Sequence, residues 1–208
     1  MKLKICGMRF PENIAEIAEL QPDYLGFIFY EKSPRYAGDL AAETVRALPE
    51  SILKTGVFVN AQEAFIAETV EKYQLNLIQL HGNEPPETCR ALRKICPVVK
   101  AVSVAAANDI TASAATYQNT VDYFLFDTKT PLFGGSGAQF DWSALAAYTG
   151  NTPFFLSGGI GADDSERLKT LQHPQLHAID VNSRFETTPG RKDAMELRKL
   201  MTFLTGSI

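Results

Sequence analysis

Short runs of β-branched and aromatic residues alternate with amphipathic runs rich in alanine, glutamate and leucine along the whole chain. Eight apolar runs have the length and composition of strands, namely Lys2–Cys6, Asp23–Phe29, Leu53–Val59, Asn76–Leu80, Val98–Val102, Asp122–Phe126, Pro153–Leu156 and His177–Val181. Each is followed by a run of helical periodicity, namely Glu12–Leu20, Ala41–Leu48, Ala61–Tyr73, Glu84–Lys94, Asn108–Asn119, Asp141–Tyr148, Ala162–Leu171 and Arg191–Leu204. The alternation predicts an α/β fold.

Eight strand–helix units in a chain of 208 residues predict a single (β/α)8 TIM-barrel domain over residues 1–208. A doubly wound open sheet is the alternative, but eight units would make a wide sheet for so short a chain. In such a barrel, active-site residues lie at the carboxyl ends of the strands and in the loops that follow them. Those positions are where reactive side chains matter most.

Composition narrows the classes of partner. The formal net charge is −4, and no basic stripe interleaved with aromatic residues is present, so we expect no nucleic-acid partner. No secretory signal and no apolar run near the ~20 residues of a membrane span is seen, and three cysteines cannot all pair, which predicts a reduced, cytoplasmic protein without a membrane partner. No cluster has zinc spacing, so we expect no metal.

Glycine-rich loops follow the predicted strands six and seven, and a polar loop follows strand eight. Glycine lets backbone N–H groups approach an anion closely, and the loops after strands seven and eight are the usual phosphate site of this architecture. Plain turns are the alternative. The phosphate interpretation assigns contacts to Gly135, Ser136, Gly137, Ser157, Gly158, Gly159, Asn182 and Ser183.

Cys6 ends the first predicted strand. Strand alternation places Lys4 and Cys6 on the face opposite the apolar Leu3 and Ile5, so both should point into the barrel, about 6–7 Å apart along the strand. An ammonium near a thiol lowers its pKa, and a thiolate is a plausible base. The hypothesis is that Lys4 lowers the pKa of Cys6 and has Asp180 as its counter-ion. A small buried core residue is the alternative for Cys6.

Three further side chains fall at predicted strand ends or in their loops. Asp127 closes strand six with a parity that allows it to face inward, although a solvated loop carboxylate or a cap is equally consistent. Arg35 lies in a loop, where it could be a surface residue or a bidentate partner for a substrate carboxylate. His81 follows strand four and is either a structural, hydrogen-bonded residue or part of the site.

The order and spacing of several short motifs resemble the phosphoribosylanthranilate isomerase family over the whole chain. They are Lys4-Ile5-Cys6-Gly7, Gly26-Phe27-Ile28-Phe29, Ser33-Pro34-Arg35-Tyr36, Gly56-Val57-Phe58-Val59-Asn60, Gln79-Leu80-His81-Gly82, Leu125-Phe126-Asp127, Gly134-Gly135-Ser136-Gly137 and Leu156-Ser157-Gly158-Gly159-Ile160. Each motif alone is weak, but together they are specific.

The resemblance implies an Amadori rearrangement of N-(5′-phosphoribosyl)anthranilate in tryptophan biosynthesis. The aspartate matching Asp127 is the general acid that opens the sugar ring, and the cysteine matching Cys6 is the general base at C2′. The arginine matching Arg35 holds the anthranilate carboxylate, and the glycine loops hold the phosphate. No cofactor is implied, and the expected partner is the small phosphosugar substrate, with the chain a monomer or a weak homodimer.

One motif departs from the family pattern. The family usually has Asp-Val-Ser-Ser-Gly where this chain has Asp180-Val181-Asn182-Ser183-Arg184. Arg184 lacks the freedom of glycine at positive φ, so the departure could move the phosphate seat or could present a guanidinium to it. Both interpretations stay open at this point.

Other functions remain as alternatives. Two are other phosphosugar barrels: the lyase that makes indole-3-glycerol phosphate, which should bring more acid–base lysine and glutamate, and the aminoimidazole-carboxamide ribotide isomerase, which uses two aspartates. A third is a non-catalytic phosphate-binding barrel. The pairing of Cys6 with Asp127 argues against the non-catalytic barrel, since a binder needs neither group, and strand one offers Cys6 where the ribotide isomerase would have an aspartate.

Overall fold

A computed structural model of the protein describes residues 1–129 and 139–205. Eight parallel strands close into a barrel in chain order, because each pairs with the next and the first pairs with the eighth. They are β1 (Lys2–Ile5), β2 (Tyr24–Ile28), β3 (Leu53–Phe58), β4 (Leu77–Leu80), β5 (Val98–Val104), β6 (Tyr123–Thr128), β7 (Phe154–Leu156) and β8 (Leu176–Val181). The predicted (β/α)8 barrel is confirmed.

Helices or short 3₁₀ turns lie between successive strands. The α-helices are α1 (Pro11–Ala18), α2 (Ala42–Arg46), α3 (Glu63–Tyr73), α4 (Pro86–Leu92), α5 (Ala107–Thr116), α6 (Ser165–Thr170) and α7 (Ala194–Thr205). The 3₁₀ turns are Trp142–Ala147, Ala162–Asp164 and Ser183–Phe185. The predicted helix Asp141–Tyr148 is therefore a 3₁₀ turn, and Ala162–Leu171 divides into a 3₁₀ turn followed by α6.

The end of the chain differs from its prediction in a way that affects the site. Arg191–Leu204 was expected to be one helix, but β9 (Glu186–Thr188) and β10 (Arg191–Lys192) form an antiparallel hairpin before α7 begins at Ala194. Gly190 turns the hairpin at φ +87°, a conformation that glycine adopts without strain. The Pro189-Gly190 pair, directly before the predicted helix, is the turn signal in the sequence that marks this hairpin.

Apolar residues form two separate clusters because side chains alternate across each strand. The larger cluster fills the space between the barrel and its helices. The smaller one fills the lower barrel interior, with one buried side chain from each of six strands: Tyr24, Leu77, Val99, Leu125, Phe155 and Ala178. Within the described residues, no helix combines the length and the apolar character needed to cross a membrane.

Candidate active site

The barrel interior changes from apolar to polar one step above the smaller cluster. Interior positions recur every second residue, so the next inward side chain lies nearer the carboxyl end of its strand. At this level the buried interior side chains include Lys4, Thr55, Gln79, Asp127, Ser157 and Asp180. A ring of polar groups thus rests on an apolar floor, at the end of the barrel where such folds place their chemistry.

Cys6 lies directly after β1, where its N–H donates to the Val181 carbonyl at 2.9 Å. Only 4% of the residue is exposed. A Cβ added at Gly26 on the adjacent β2 would lie 2.8 Å from the Cys6 sulfur, so glycine leaves the space that the thiol occupies. Gly7, which follows at φ +80°, lets the chain turn out of the barrel beside Arg35 and Asn182.

The Lys4 ammonium is paired with Asp180 inside the barrel. Its Nζ lies 2.8 Å from the Asp180 Oδ1, and the two side chains are 1% and 5% exposed. The strands bring them together because Lys4 on β1 is in register with Asp180 on β8. Although burial by itself lowers the pKa of Lys4, attraction to Asp180 and Cys6 outweighs it and the pKa is raised. The counter-ion expected from the sequence is therefore present, and Lys4 stays charged.

Burial decides the state of the Cys6 thiol. Removal from water raises its pKa above the ordinary value, while the nearby charges of Lys4 and Lys192 lower it without cancelling that effect. The sign of the Lys4 contribution agrees with the sequence hypothesis, yet the net shift is upward. The alternation pattern predicts that Cys6 faces inward, but it does not measure how completely the thiol is desolvated.

Arg35 reaches the Cys6 side of the site from the loop after β2. Its Nε and Nη2 donate to the two oxygens of Glu186 at 2.8 and 2.6 Å, a bidentate arrangement. Glu186 also accepts from Lys192 Nζ at 2.7 Å, and Lys192 Nζ donates to Asn182 Oδ1 at 2.6 Å. Arg35 is thus fixed by a buried network rather than extended over the surface.

Glu186 and Lys192 were not predicted as site residues, because the sequence pattern predicts a loop at the first and a helix at the second. In the hairpin they pair across the two strands, and both side chains are buried. Burial lowers the pKa of Lys192 against the opposing attraction of Glu186. Burial raises the pKa of Glu186, but hydrogen bonds from Arg35 and the charge of Lys192 prevail and lower it. The carboxylate therefore remains ionised between two cations.

Asp127 lies on β6, and its partner is a histidine. His81 Nε2 is 3.2 Å from the Asp127 Oδ2, and the side chains are 15% and 13% exposed. The other ring nitrogen, Nδ1, is 3.0 Å from the Gln79 amide nitrogen, which fixes the ring from behind. The second oxygen of Asp127 accepts from the Thr128 N–H at 2.9 Å. The carboxyl is thus oriented on both sides and remains reachable from the mouth.

The loop after β7 has the backbone form expected of an anion seat. Gly158 and Gly159 have φ of +95° and +63°, which glycine adopts freely, and a Cβ at Gly158 would lie 2.3 Å from the Thr128 hydroxyl. Ser157 is buried, and its hydroxyl is 3.4 Å from Asp180 Oδ2. The predicted phosphate contacts at Gly135, Ser136 and Gly137 lie outside the described residues.

The loop after β8 carries Asn182, Ser183 and Arg184. The Asn182 amide oxygen is bound by Lys192, as described above, and Ser183 begins a 3₁₀ turn. Among the described residues, those with positive φ do not include Arg184. This loop therefore does not need the conformational freedom of glycine at that position. A Cβ added at Gly161 would lie 2.9 Å from Arg184 Nε, so the guanidinium rests against the loop after β7.

Comparison with known proteins identifies relatives of this arrangement. Residues 3–202 match the family model described as N-(5′-phosphoribosyl)anthranilate (PRA) isomerase. A protein of Parabacteroides distasonis named N-(5′-phosphoribosyl)anthranilate isomerase is 44% identical over 204 residues, covering 97% of this chain and 92% of its own length.

Solved structures agree with these relatives. The phosphoribosyl anthranilate isomerase of Thermotoga maritima is 33% identical and superimposes with a TM-score of 0.87, covering 99% of both chains. A phosphoribosyl anthranilate isomerase in complex with reduced 1-(o-carboxyphenylamino)-1-deoxyribulose 5-phosphate is 30% identical, with a TM-score of 0.81 over 99% of both chains. The likeness covers the described barrel from end to end.

Proposed function

Because the chain belongs to the N-(5′-phosphoribosyl)anthranilate isomerase family, we propose that it catalyses the Amadori rearrangement of N-(5′-phosphoribosyl)anthranilate to 1-(o-carboxyphenylamino)-1-deoxyribulose 5-phosphate. This step belongs to tryptophan biosynthesis. The observation that carries the proposal is the presence of a buried thiol and a largely buried carboxyl at the ends of different strands, above the apolar floor of one barrel. The two groups suit a reaction that needs one acid and one base.

Asp127 acts first, as the general acid. Its carboxyl gives a proton to the furanose ring oxygen, the C1′–O bond breaks, and the anilino nitrogen supplies the electron pair that forms a C1′=N iminium ion. His81 at 3.2 Å and the Thr128 N–H at 2.9 Å support this role because they hold the carboxyl in one orientation. A carboxyl that is already oriented does not have to be reoriented when the substrate binds.

Cys6 acts second, as the general base. The thiolate removes the proton from C2′, the C–H electrons form the C1′=C2′ bond, and the iminium electrons return to nitrogen to give an enolamine. The enolamine then takes a proton at C1′ and loses the proton of its C2′ hydroxyl, which gives the ketone. The iminium ion is a sufficient electron sink, so these residues complete the rearrangement by proton transfers alone. The charges of Lys4 and Lys192 favour the thiolate against the effect of burial.

The two substrate anions are assigned to different groups at the mouth of the barrel. Arg35 uses Nε and Nη2 on Glu186, which leaves the remaining edge of the guanidinium for the anthranilate carboxylate. The loops after β7 and β8 take the phosphate. The complex of a 30% identical relative with a reduced product supports this assignment, since that ligand carries both a carboxyl and a phosphate. We further propose a cytoplasmic enzyme built as one barrel domain.

The decisive test is turnover of freshly made N-(5′-phosphoribosyl)anthranilate by the purified protein, followed by the loss of anthranilate-type fluorescence. Cys6→Ser and Asp127→Asn should each lower kcat by about 100-fold or more, because each removes one proton-transfer group. Both variants should keep the wild-type thermal midpoint within a few degrees. The wild-type gene, but neither variant, should restore growth of a tryptophan auxotroph that lacks this isomerase. Absence of turnover by the folded wild-type protein would falsify the proposal.

A further inference from the structure

Arg184 belongs to the loop after β8, and its guanidinium rests against the loop after β7; these are the two loops assigned to the phosphate. It lies in the 3₁₀ turn Ser183–Phe185, which is anchored by the fully buried Phe185. Its Nε and Nη2 would lie 2.9 and 3.0 Å from a Cβ added at Gly161, so the guanidinium covers the backbone of the loop after β7. The neighbouring strands β7 and β8 explain the closeness, because Leu156 and Ile179 are paired.

The loop after β7 has less to offer an anion than its glycines suggest. The Gly161 N–H is already donated to the Asp164 carboxylate at 2.8 Å, so it is not free for a phosphate. Asp164 also brings a negative charge to the loop, and the Gln139 amide bonds that carboxylate at 2.6 Å. An anion bound here would need a cation in its immediate surroundings to offset that charge.

The current partner of Arg184 is weak. Among the described residues, its ion-pair partner is Asp163, with Nη2 3.6 Å from Oδ2. The two side chains are 45% and 93% exposed, so water screens their attraction and the pair constrains the guanidinium little. Arg184 is therefore held at its backbone and remains free to exchange one anionic partner for another.

We propose that the Arg184 guanidinium binds the substrate phosphate directly, and that it breaks its ion pair with Asp163 when the phosphate arrives. The inference rests on the proposed function and assigns the phosphate side of that site a side-chain cation in addition to backbone N–H groups. It also assigns Asp163 a role as a weak competitor, since its carboxylate is the ion-pair partner of Arg184 in the absence of substrate. Arg184 thus determines how tightly the phosphate end is held, whereas the two proton-transfer groups determine the rate of chemistry.

The test compares two substitutions whose expected effects have opposite signs. Arg184→Ala should raise KM about tenfold with little change in kcat, because a charge-assisted hydrogen bond to the phosphate is lost in both ground and transition states. Asp163→Asn should lower KM about twofold, because the competing carboxylate is removed. Inorganic phosphate, used as a competitive inhibitor, should show the same two changes in its inhibition constant. Arg184→Lys should fall between wild type and alanine.

Arg90→Ala is the matched control, since Arg90 is an exposed arginine on α4, which follows the strand opposite β8 in the barrel. It changes the net charge equally and should leave KM and phosphate inhibition unchanged. A KM for Arg184→Ala within twofold of wild type, or a raised KM for Asp163→Asn, overturns the inference. Failure of the wild-type protein to turn over substrate instead removes the proposed function, and calorimetric titration with inorganic phosphate still decides the role of Arg184.

Discussion

The two sides of the barrel mouth surround their reactive groups with different partners. On the β1–β8 side, Cys6 is 4% exposed and shares a buried region with an ammonium–carboxylate pair and a second lysine. On the β4–β6 side, Asp127 is reachable and is bound by one partly exposed histidine. Burial raises the pKa of the thiol, so its charged form depends on nearby cations. The carboxyl is held instead by His81 and by the Thr128 N–H.

This difference suits the division of work proposed for the two groups. A base that removes a proton from carbon gains strength from a raised pKa, provided that cations keep enough of it ionised. An acid that protonates a ring oxygen must meet a polar part of the substrate and exchange protons with water afterwards.

The largest effect should come from removing the cation nearest the thiol. Lys4→Met leaves Asp180 buried without its partner, and losing one member of such a pair costs about 3–5 kcal/mol of stability. It should also lower kcat by about 100-fold at neutral pH, because less of Cys6 is ionised. In wild type, kcat/KM should still be rising with pH above neutrality, since the thiol pKa is raised, and in Lys4→Met this rise should move to higher pH. The rate of Cys6 alkylation measured against pH checks both shifts.

The double variant Lys4→Met/Asp180→Asn separates the loss of folding stability from the change in the pKa of Cys6. Removing both charges eliminates the unpaired carboxylate, so most of the lost stability should return. The rise in the Cys6 alkylation rate should still occur at a higher pH than in wild type, because the effect of Lys4 on the thiol pKa is larger than the opposing effect of Asp180. An alkylation profile equal to wild type in both variants would show that Lys4 has no electrostatic effect on Cys6.

The contrast between the two sides also separates what the sequence predicts from what it does not. Alternation along β1 and β6 correctly indicates that Lys4 and Asp127 face the interior, because side-chain period 2 is a local property. The network of Arg35 with Glu186 and Lys192 depends on a hairpin that no periodicity marks. This network forms because the hairpin, which follows β8 in the chain, folds back so that Lys192 binds Asn182 directly after β8. Likewise, the upward pKa shift of Cys6 depends on burial by neighbours distant in sequence.

A smaller effect is expected on the other side of the mouth. His81→Asn should lower kcat about tenfold and leave KM nearly unchanged, because the Asp127 carboxyl loses an orienting partner but keeps its own chemistry. His81→Gln, whose amide can reach further, should recover part of the loss. The alkylation profile of Cys6 should not move in either variant. Steady-state kinetics and alkylation on the same preparations check these outcomes.

His173→Asn is the matched control for His81, since His173 is also a partly buried histidine but bonds the Tyr148 carbonyl away from the polar interior. Its kcat should equal that of wild type. If His81→Asn and His173→Asn lowered kcat equally, with parallel losses of thermal stability, His81 would be a structural residue. The Asp127 carboxyl would then not depend on His81 for its orientation.

The smallest effect should come from Arg35→Lys, which keeps the charge but loses the planar fork that grips both oxygens of Glu186. KM should rise about fivefold, since a lysine cannot bind Glu186 and a substrate carboxylate along two edges at once, and kcat should change less. The surface pair of Arg93 with Asp122 supplies the control, because Arg93→Lys disturbs a similar contact far from the mouth and should leave KM unchanged. An unchanged KM in Arg35→Lys would mean that the network beside Cys6 serves the thiol and the hairpin alone, and that the substrate carboxylate is bound elsewhere.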